Sequence, residues 1–427
     1  MKSKAVVENG FKETEIGLIP EDWKIVKLGD VAEISSGGSA PQGDNYFNGK
    51  NPFIRVQHID REGDRVIKWD LITDNAVKKY KLKIYPKGAI VFPKSGASIY
   101  LEKRAMLPID AFIVSHLCAV ISNDKNVKQK FLFYELRNIE LSKDKADGYP
   151  TLNLSEVKNV KVIIPSLLEQ QKIAFVLSKI QQAIEQQHKI IEITRELKKS
   201  LMNKLFTEGL HGEEQKETEI GLMPKSWRIE TVINIVEKTK QKNPSQTPEL
   251  TFKYIDISGI SNEFYKIIEY RTYNGSKAPS RARKLVQTDD VLFATVRPTL
   301  RRMAYIDEKY NGEICSKAFC VLRSKRSVLS SLYLYYCVQR DEFIEELAKL
   351  QRGASYPAIT DNDVKRQQIP LPSFREQNEI TDILSSIDKK ISQAETKKQT
   401  LQALFKTMLN QLMTGKVRVK DFDFEVN

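Results

Sequence analysis

Residues 166–206 read SLLEQQKIAFVLSKIQQAIEQQHKIIEITRELKKSLMNKLF, and residues 373–413 read SFREQNEITDILSSIDKKISQAETKKQTLQALFKTMLNQLM. In the first stretch Ile173, Leu177, Ile180, Ile184, Ile191, Leu201 and Leu205 follow a four-three alternation, the mark of one apolar seam on a long helix. Ile380, Leu384, Ile387, Ile391, Ala394, Leu401, Phe405, Met408 and Leu412 do the same in the second, with the register displaced by 207 from Ile173 to Ile380. Both stretches open on Ser-x-x-Glu after a proline (Ser166 to Glu169, Ser373 to Glu376). This predicts a capping box, in which the serine oxygen and the glutamate each meet a backbone donor left unpaired by the helix. Both end near a glycine, Gly209 and Gly415. Roughly forty residues at about 1.5 Å each make a rod of about 60 Å, too long and too narrow in its apolar face for an ordinary core helix. Two such rods are expected to pair antiparallel. Gln187, Thr194, Lys198 and Lys398 interrupt the seams; in an antiparallel pair Gln187 is expected close to Lys398, a central polar layer that would fix register.

Working outward, Lys12-Glu-Thr-Glu-Ile-Gly-Leu-Ile-Pro20 followed by Trp23 recurs as Lys216-Glu-Thr-Glu-Ile-Gly-Leu-Met-Pro224 followed by Trp227. The chain is therefore a duplicated unit of signature, globular block and long helix. The expected organisation is an α+β fold with a pseudo-twofold internal repeat. Its parts are a mixed α/β domain at 1–165, a long helix at 166–208, a second domain at 209–372, and a long helix with a tail at 373–427. With antiparallel rods, the end of the second helix should lie beside the first block.

Within the first block, strands are expected at Lys24 to Leu28, Phe53 to Gln57, Ala89 to Phe92, Ala111 to Ile121 and Lys161 to Ile164. A short helix or turn is expected at Asp30 to Ile34, and a helix at Lys130 to Glu140. The second block suggests strands at Lys253 to Ile257, Val291 to Thr295, Met303 to Ile306, Lys317 to Leu322 and Gln368 to Leu371, with one helix from Ser331 to Lys349. Tyr149-Pro150 and Tyr356-Pro357 answer each other ahead of the last strands.

A formal net charge of +13 over 427 residues makes a polyanion the leading partner, with an anionic membrane as the competitor. No apolar run approaches the length of a membrane span, and the N-terminus lacks the apolar core of a signal peptide. Cys118, Cys315, Cys320 and Cys337 form no metal or disulfide pattern, which suits reduced thiols in a cytoplasm. His58, His116, His188 and His211 are too scattered for a metal site.

Catalytic constellations are sparse. Asn51-Pro52-Phe53-Ile54 lacks the second proline of an amino-methyltransferase motif, and no phosphate-binding Gly-x-x-x-x-Gly-Lys-Ser/Thr occurs. Glu156-Val157-Lys158 and Asp363-Val364-Lys365 have the carboxylate-x-lysine spacing of metal-dependent nucleases, but two surface charges before a strand explain it equally well. No metal ligands are assigned.

The chemistry present suits binding. In the first block Arg55, Gln57, His58, Lys94, Ser95, Ser98, Tyr100, Lys103 and Arg104 are candidate DNA contacts; in the second, Arg281, Arg283, Arg297, Thr299, Arg301, Arg302 and Lys317. Arginine can chelate guanine O6 and N7 and glutamine adenine N6 and N7, while lysine mainly holds phosphate. Lys94-Ser95-Gly96-Ala97 and Thr295-Val296-Arg297-Pro298 follow comparable strands yet differ, as two readers of unlike half-sites would.

The duplicated signature, the Ile34-Ser-Ser-Gly-Gly-Ser-Ala-Pro41 start, the Glu-Gln pairs opening each helix and the closing Leu412-Met-Thr-Gly-Lys-Val-Arg418 together resemble the specificity subunit of type I restriction-modification systems over nearly the whole chain. The second block departs from that pattern, with Lys240 to Pro244 in place of the double glycine. The resemblance implies a non-catalytic subunit with two target-recognition domains, each reading half of an asymmetric bipartite site on double-stranded DNA. It implies two methyltransferase subunits docked on the helices and restriction-translocase subunits that join them. S-adenosylmethionine, Mg2+ and ATP then belong to those partners. The alternatives are a stand-alone nuclease and a coiled-coil adaptor that binds no DNA.

Overall fold

The computed structural model describes residues 10–60, 64–123, 125–143, 150–420 and 422. Tyr149 of the Tyr-Pro pair lies outside them. Each seam periodicity gives one continuous helix, Leu167–Glu208 and Phe374–Met413. The chain divides into two compact units: Met1–His188 with Thr396–Asn427, and Lys189–Glu395. The expected division into domains and separate rods is thus drawn differently. Each helix is cut near its middle, because each half buries its seam against the block it accompanies.

In the first unit Ile173, Leu177 and Ile184 share a core with Phe405 and Leu412, and Ile180, Leu401 and Met408 pack against it. Gln181 lines a cavity with Gln402 and Phe405, while the Lys172 ammonium donates to the Lys420 carbonyl at 3.1 Å. Rising numbers on one segment meet falling numbers on the other, so these segments are antiparallel. In the second unit Ile191, Ile387, Ile391 and Ala394 form one cluster, with Leu201 against it, and Leu205, Ile380 and Leu384 join the block's main core. Arg195 pairs with Glu395 at 2.9 Å and Lys198 with Asp388 at 2.7 Å, again in antiparallel order. Lys198 is buried in its seam, and the Tyr336 hydroxyl donates to the same Asp388 at 2.8 Å.

The repeated signature is a β-hairpin, Phe11–Thr14 with Gly17–Pro20 and Gln215–Thr218 with Gly221–Pro224. The lysine that opens it reaches round to two carbonyls: Lys12 to those of Glu21 and Trp23, both at 2.7 Å, and Lys216 to those of Lys225 and Trp227, at 2.9 and 2.6 Å. Only the serine half of each expected capping box forms, with Ser166 and Ser373 accepting from Glu169 N and Glu376 N at 3.3 and 3.2 Å. The glutamates turn instead to the hairpin's tryptophan: Trp23 Nε1 donates to Glu169 and Trp227 Nε1 to Glu376, each at 3.0 Å. The next residue ties the helix to its block. Gln170 accepts from Lys128 N at 2.9 Å and donates to the Asn126 and Pro165 carbonyls; Gln377 does the same for Ser330 N, Val328 and Pro372. The Glu-Gln pair is therefore a two-way joint, indole on one side and block helix on the other.

The first unit closes on itself as expected. Arg418 grips Glu169 through Nε at 2.7 Å and Asp22 through both terminal nitrogens at 3.0 and 2.7 Å, with its guanidinium 5.4 Å from the Trp23 ring. Gly415 is left-handed (φ 69°), and a Cβ there would lie 2.2 Å from Pro20 Cγ. Gly212 is also left-handed (φ 62°) but has nothing within 4 Å. Gly212→Ala is therefore expected to cost only the conformational penalty of about 1–2 kcal/mol. Gly415→Ala adds a steric clash and should lower the urea midpoint of its unit clearly further; equal shifts would contradict the close approach.

Both blocks have the same sheet order. In the first, Asp70–Ile72, Phe47–Ile54, Ala111–Ile113 and Ile84–Tyr85 lie side by side; in the second, Arg271–Asn274, Thr251–Ile255, Ile314–Ser316 and Ala282–Leu285. The central pair is parallel in each. The expected strand from Ala111 to Ile121 is two strands, Ala111–Ile113 and Leu117–Ser122, which lie in different sheets. The expected helix from Ser331 is likewise two, Ser331–Cys337 and Asp341–Lys349. A one-turn helix at Leu28–Val31 precedes a strand, Ala32–Ser36, where a short helix or turn was expected. That strand adds a fourth member to the antiparallel sheet of the first block, whereas the second block's sheet has three. Gly37 permits the addition, because a Cβ there would sit 2.3 Å from the Ile113 and Val114 carbonyl oxygens. The second block, without the double glycine, makes only an isolated bridge from Val236 to Ser324 at the corresponding edge.

Candidate nucleic-acid interface

The two loops singled out by sequence hang from equivalent anchors. After the buried strand Ile90–Pro93, Lys94 N donates to the His116 carbonyl and Gly96 N to Pro150, both at 2.9 Å. After Val291–Ala294, Thr295 N donates to Ala318 at 2.8 Å and Arg297 N to Pro357 at 2.7 Å. Gly96 and Arg297 then both take left-handed backbone, φ 76° and 49°, and a 3-10 turn follows. An arginine held in that region carries about 1–2 kcal/mol of strain, which the surrounding bonds must maintain. Its side chain donates to the Ser355 carbonyl at 3.2 Å and stacks 4.9 Å from the exposed Tyr356 ring. Thr299 is exposed on the same tip.

In the first block Lys94, Ser95, Ser98 and Tyr100 share one loop. Ser95 Oγ lies 2.6 Å from His116 Nδ1, Ser98 donates to the Ser95 carbonyl at 3.2 Å, and Tyr100 is exposed. Gln57 is exposed on the 3-10 turn Val56–His58. In the second block Lys317 N donates to the Arg281 carbonyl at 2.8 Å, which places these two exposed cations side by side.

Most of the other candidates are committed internally, and Arg55 is braced but still partly exposed. His58 is 3% exposed; its Nδ1 accepts from Arg55 N at 3.1 Å, and burial pushes its pKa down against the pull of Asp70. Arg104 is 2% exposed, pairs with Glu102, lies 4.9 Å from the Phe92 ring and has its pKa lowered by burial. Glu102 in turn accepts from Ser142 N at 2.7 Å, so Arg104 organises a chain crossing. Lys103 donates to the Ile59 carbonyl at 2.9 Å, Arg283 to Ala282 at 2.7 Å, and Arg302 to Ile257 at 2.7 Å and Ile260 at 3.2 Å. Arg301 pairs with Asp341, and Arg55 pairs with Asp70 at 2.6 Å while keeping partial exposure. Base contact is expected from sequence of Lys103, Arg301 and Arg302 because their carbonyl or carboxylate partners lie forty or more residues away, where spacing carries no sign of them, whereas Arg104 and Arg283 meet partners next to them in sequence. Asp70, Asp256, Arg271 and Tyr356 join the candidates through Arg55, a shared notch and Arg297, contacts that only the fold brings about.

The carboxylates with nuclease-like spacing serve as caps. Glu156 accepts from Asn153 N and Asp363 from Thr360 N, each at 2.8 Å, and Asp363 also pairs with Arg352 at 3.1 Å. Among the described residues no group of three or more His, Cys, Asp or Glu side chains could hold a metal, and no helix is long and apolar enough to cross a membrane.

The chain matches the family described as type I restriction modification DNA specificity domain twice, over residues 20–195 and 224–403. It is 27% identical over 440 residues to the type I restriction enzyme MjaVIII specificity subunit of Methanocaldococcus jannaschii, covering 98% of each chain. In fold it is similar to the crystal structure of a type I restriction-modification S subunit from M. genitalium, with a TM-score of 0.59, 16% identity, and coverage of 91% of this chain and 96% of that one. A structure solved in work on assembly and conformational transition of the type I system matches at a TM-score of 0.50 and 19% identity, covering 93% and 99%.

Proposed function

The chain belongs to the type I restriction-modification DNA specificity family, a specificity subunit, and from that membership we propose that each unit reads one half of an asymmetric bipartite site in double-stranded DNA. The observation that carries this is the repeated anchor with unlike tips: the same backbone bonds present Lys94, Ser95 and Tyr100 in one unit and Arg297, Thr299 and Tyr356 in the other. An excess of 13 positive charges supplies phosphate attraction. The long helices, each a continuous rod in antiparallel segments, act as a pseudo-twofold coiled-coil spacer that fixes the unread interval and docks two methyltransferase subunits. Restriction-translocase subunits join that complex. The chain itself is non-catalytic; S-adenosylmethionine, Mg2+ and ATP are used by its partners.

Mapping methylated adenines in DNA from cells with and without this chain tests the proposal. One bipartite asymmetric motif should vanish with the chain. Purified chain given DNA, Mg2+ and labelled S-adenosylmethionine should neither cut nor transfer methyl, and either activity would overturn the non-catalytic assignment. Inserting four residues into both helices, at 188/189 and 395/396 where the units divide, lengthens each by about 6 Å. The spacer should then grow by about two base pairs at roughly 3.4 Å each, with both half-sites retained. A changed half-site with an unchanged spacer would sink the ruler.

A further inference from the structure

The matched sheets allow residue-by-residue superposition of the two readers through their registers alone. Phe53 faces Phe112 on the parallel side and Asp70 on the antiparallel side. Tyr254 occupies the same node, facing Ile314 and Arg271. Two residues on, Arg55 and Asp256 are the N-caps of the 3-10 turns Val56–His58 and Ile257–Gly259. Arg55 therefore answers Asp256, and Asp70 answers Arg271. The two charges are exchanged at one structural address.

The surroundings are of one kind. Arg55 Nε bonds Asp70 at 2.6 Å, and its guanidinium lies 5.6 and 5.7 Å from the Phe47 and Phe53 rings, which fix its plane. In the second unit Asp256 and Arg271 line a notch of about 280 Å³ together with Tyr254, Tyr270, Tyr273 and Arg281. Asp256 is held by Ile257 N at 2.8 Å, while Arg271 is exposed and bonded to Tyr273. A stacked, carboxylate-braced guanidinium presents a donor fork suited to guanine O6 and N7. A braced carboxylate is an acceptor suited to the exocyclic amine of cytosine or adenine. The sheet and its turn are common to both units, so an exchange of this pair changes what is read without changing the scaffold.

We propose that this pair, Arg55 with Asp70 in one unit and Asp256 with Arg271 in the other, is a base-reading position that makes the two half-sites differ: guanine for the first, cytosine or adenine for the second. The proposal rests on the DNA-recognition function above. It is tested with the full chain assembled with its methyltransferase partners, by selection from randomised duplexes. The double exchange Asp256→Arg with Arg271→Asp should switch one position of the second half-site toward guanine by roughly tenfold or more, leaving the first half-site and the spacer unchanged. Because the double variant could unfold its unit, Arg271→Lys, at an exposed site, is run beside it. That variant should blur discrimination at or next to the same position with an unaltered salt slope. A wild-type complex that selects a bipartite site while Arg271→Lys keeps the same consensus, or loses affinity equally for all sequences, overturns the pair but not the function. A wild-type complex that selects no sequence overturns both.

Discussion

Trp227→Ala is expected to destabilise the second unit by about 3–5 kcal/mol, the range for removing a buried aromatic side chain. Trp227 is 1% exposed in the main core of its unit and is the indole that satisfies Glu376. Trp23→Ala should act similarly on the first unit, where Trp23 is also 1% exposed. The phenylalanine variants separate packing from hydrogen bonding. Without the indole donor, Glu169 keeps two bonds from Arg418, at 2.7 and 2.9 Å, whereas Glu376 keeps only the longer bond from Leu210 N, at 3.4 Å. Trp227→Phe should therefore cost more than Trp23→Phe, by an amount on the order of a lost hydrogen bond to a charged group, about 1.5–3 kcal/mol. Urea unfolding of the four variants checks this, and equal losses in the two phenylalanine variants would show that the bonds from Arg418 give Glu169 no advantage over Glu376.

Replacing Glu135 with glutamine should stabilise the first unit at pH 8 and have little effect near pH 4.5. Glu135 lies within the helix Gln129–Asn138; one carboxylate oxygen accepts from Ile163 N at 2.9 Å and the other is buried without a partner. Burial pushes its pKa from 4.5 up to about 7, against the opposing bond from Ile163. Between those values the folded state holds a proton that the unfolded state has released, so stability falls as pH rises through that window. Above about 7 the loss is complete, on the order of 3 kcal/mol. Glutamine keeps the acceptor for Ile163 N and removes the charge. A wild-type stability that did not fall from pH 5 to pH 8 relative to the variant would contradict the buried carboxyl. The second repeat explains why the acid is there. Lys128 and Ser330 receive the same glutamine clamp, so Glu135 answers Cys337, and Ile163 answers Pro370 in the paired strands. Proline has no N–H to satisfy, and the second unit does without the carboxylate.

The long helices were legible because a repeat of about 3.6 residues sustained over forty positions is a local signal; all sixteen predicted seam residues from Ile173 to Leu412 are buried or packed against a core. The duplication was legible because Lys12–Pro20 and Lys216–Pro224 are nearly the same words. Their form was not. A four-residue strand pair has too little alternation to declare a hairpin, and nothing near Trp23 in sequence points to Glu169. The interface was legible as a set of loops and not as a set of contacts. Arg297 and Arg302 look alike in sequence, yet one stacks on an exposed tyrosine and the other is fastened to two backbone carbonyls more than forty residues away.

By itself the sequence determined that the chain is a doubled unit with two apolar-seamed helices and a strong positive charge, because periodicity, repetition and net charge are properties of neighbours and sums. The tertiary structure alone decided that each helix is divided between two cores, that the Glu-Gln pairs join signature to block, and which arginines remain available to solvent. These follow from which distant carbonyl, carboxylate or ring each side chain meets, and folding rather than spacing brings those partners within hydrogen-bond range.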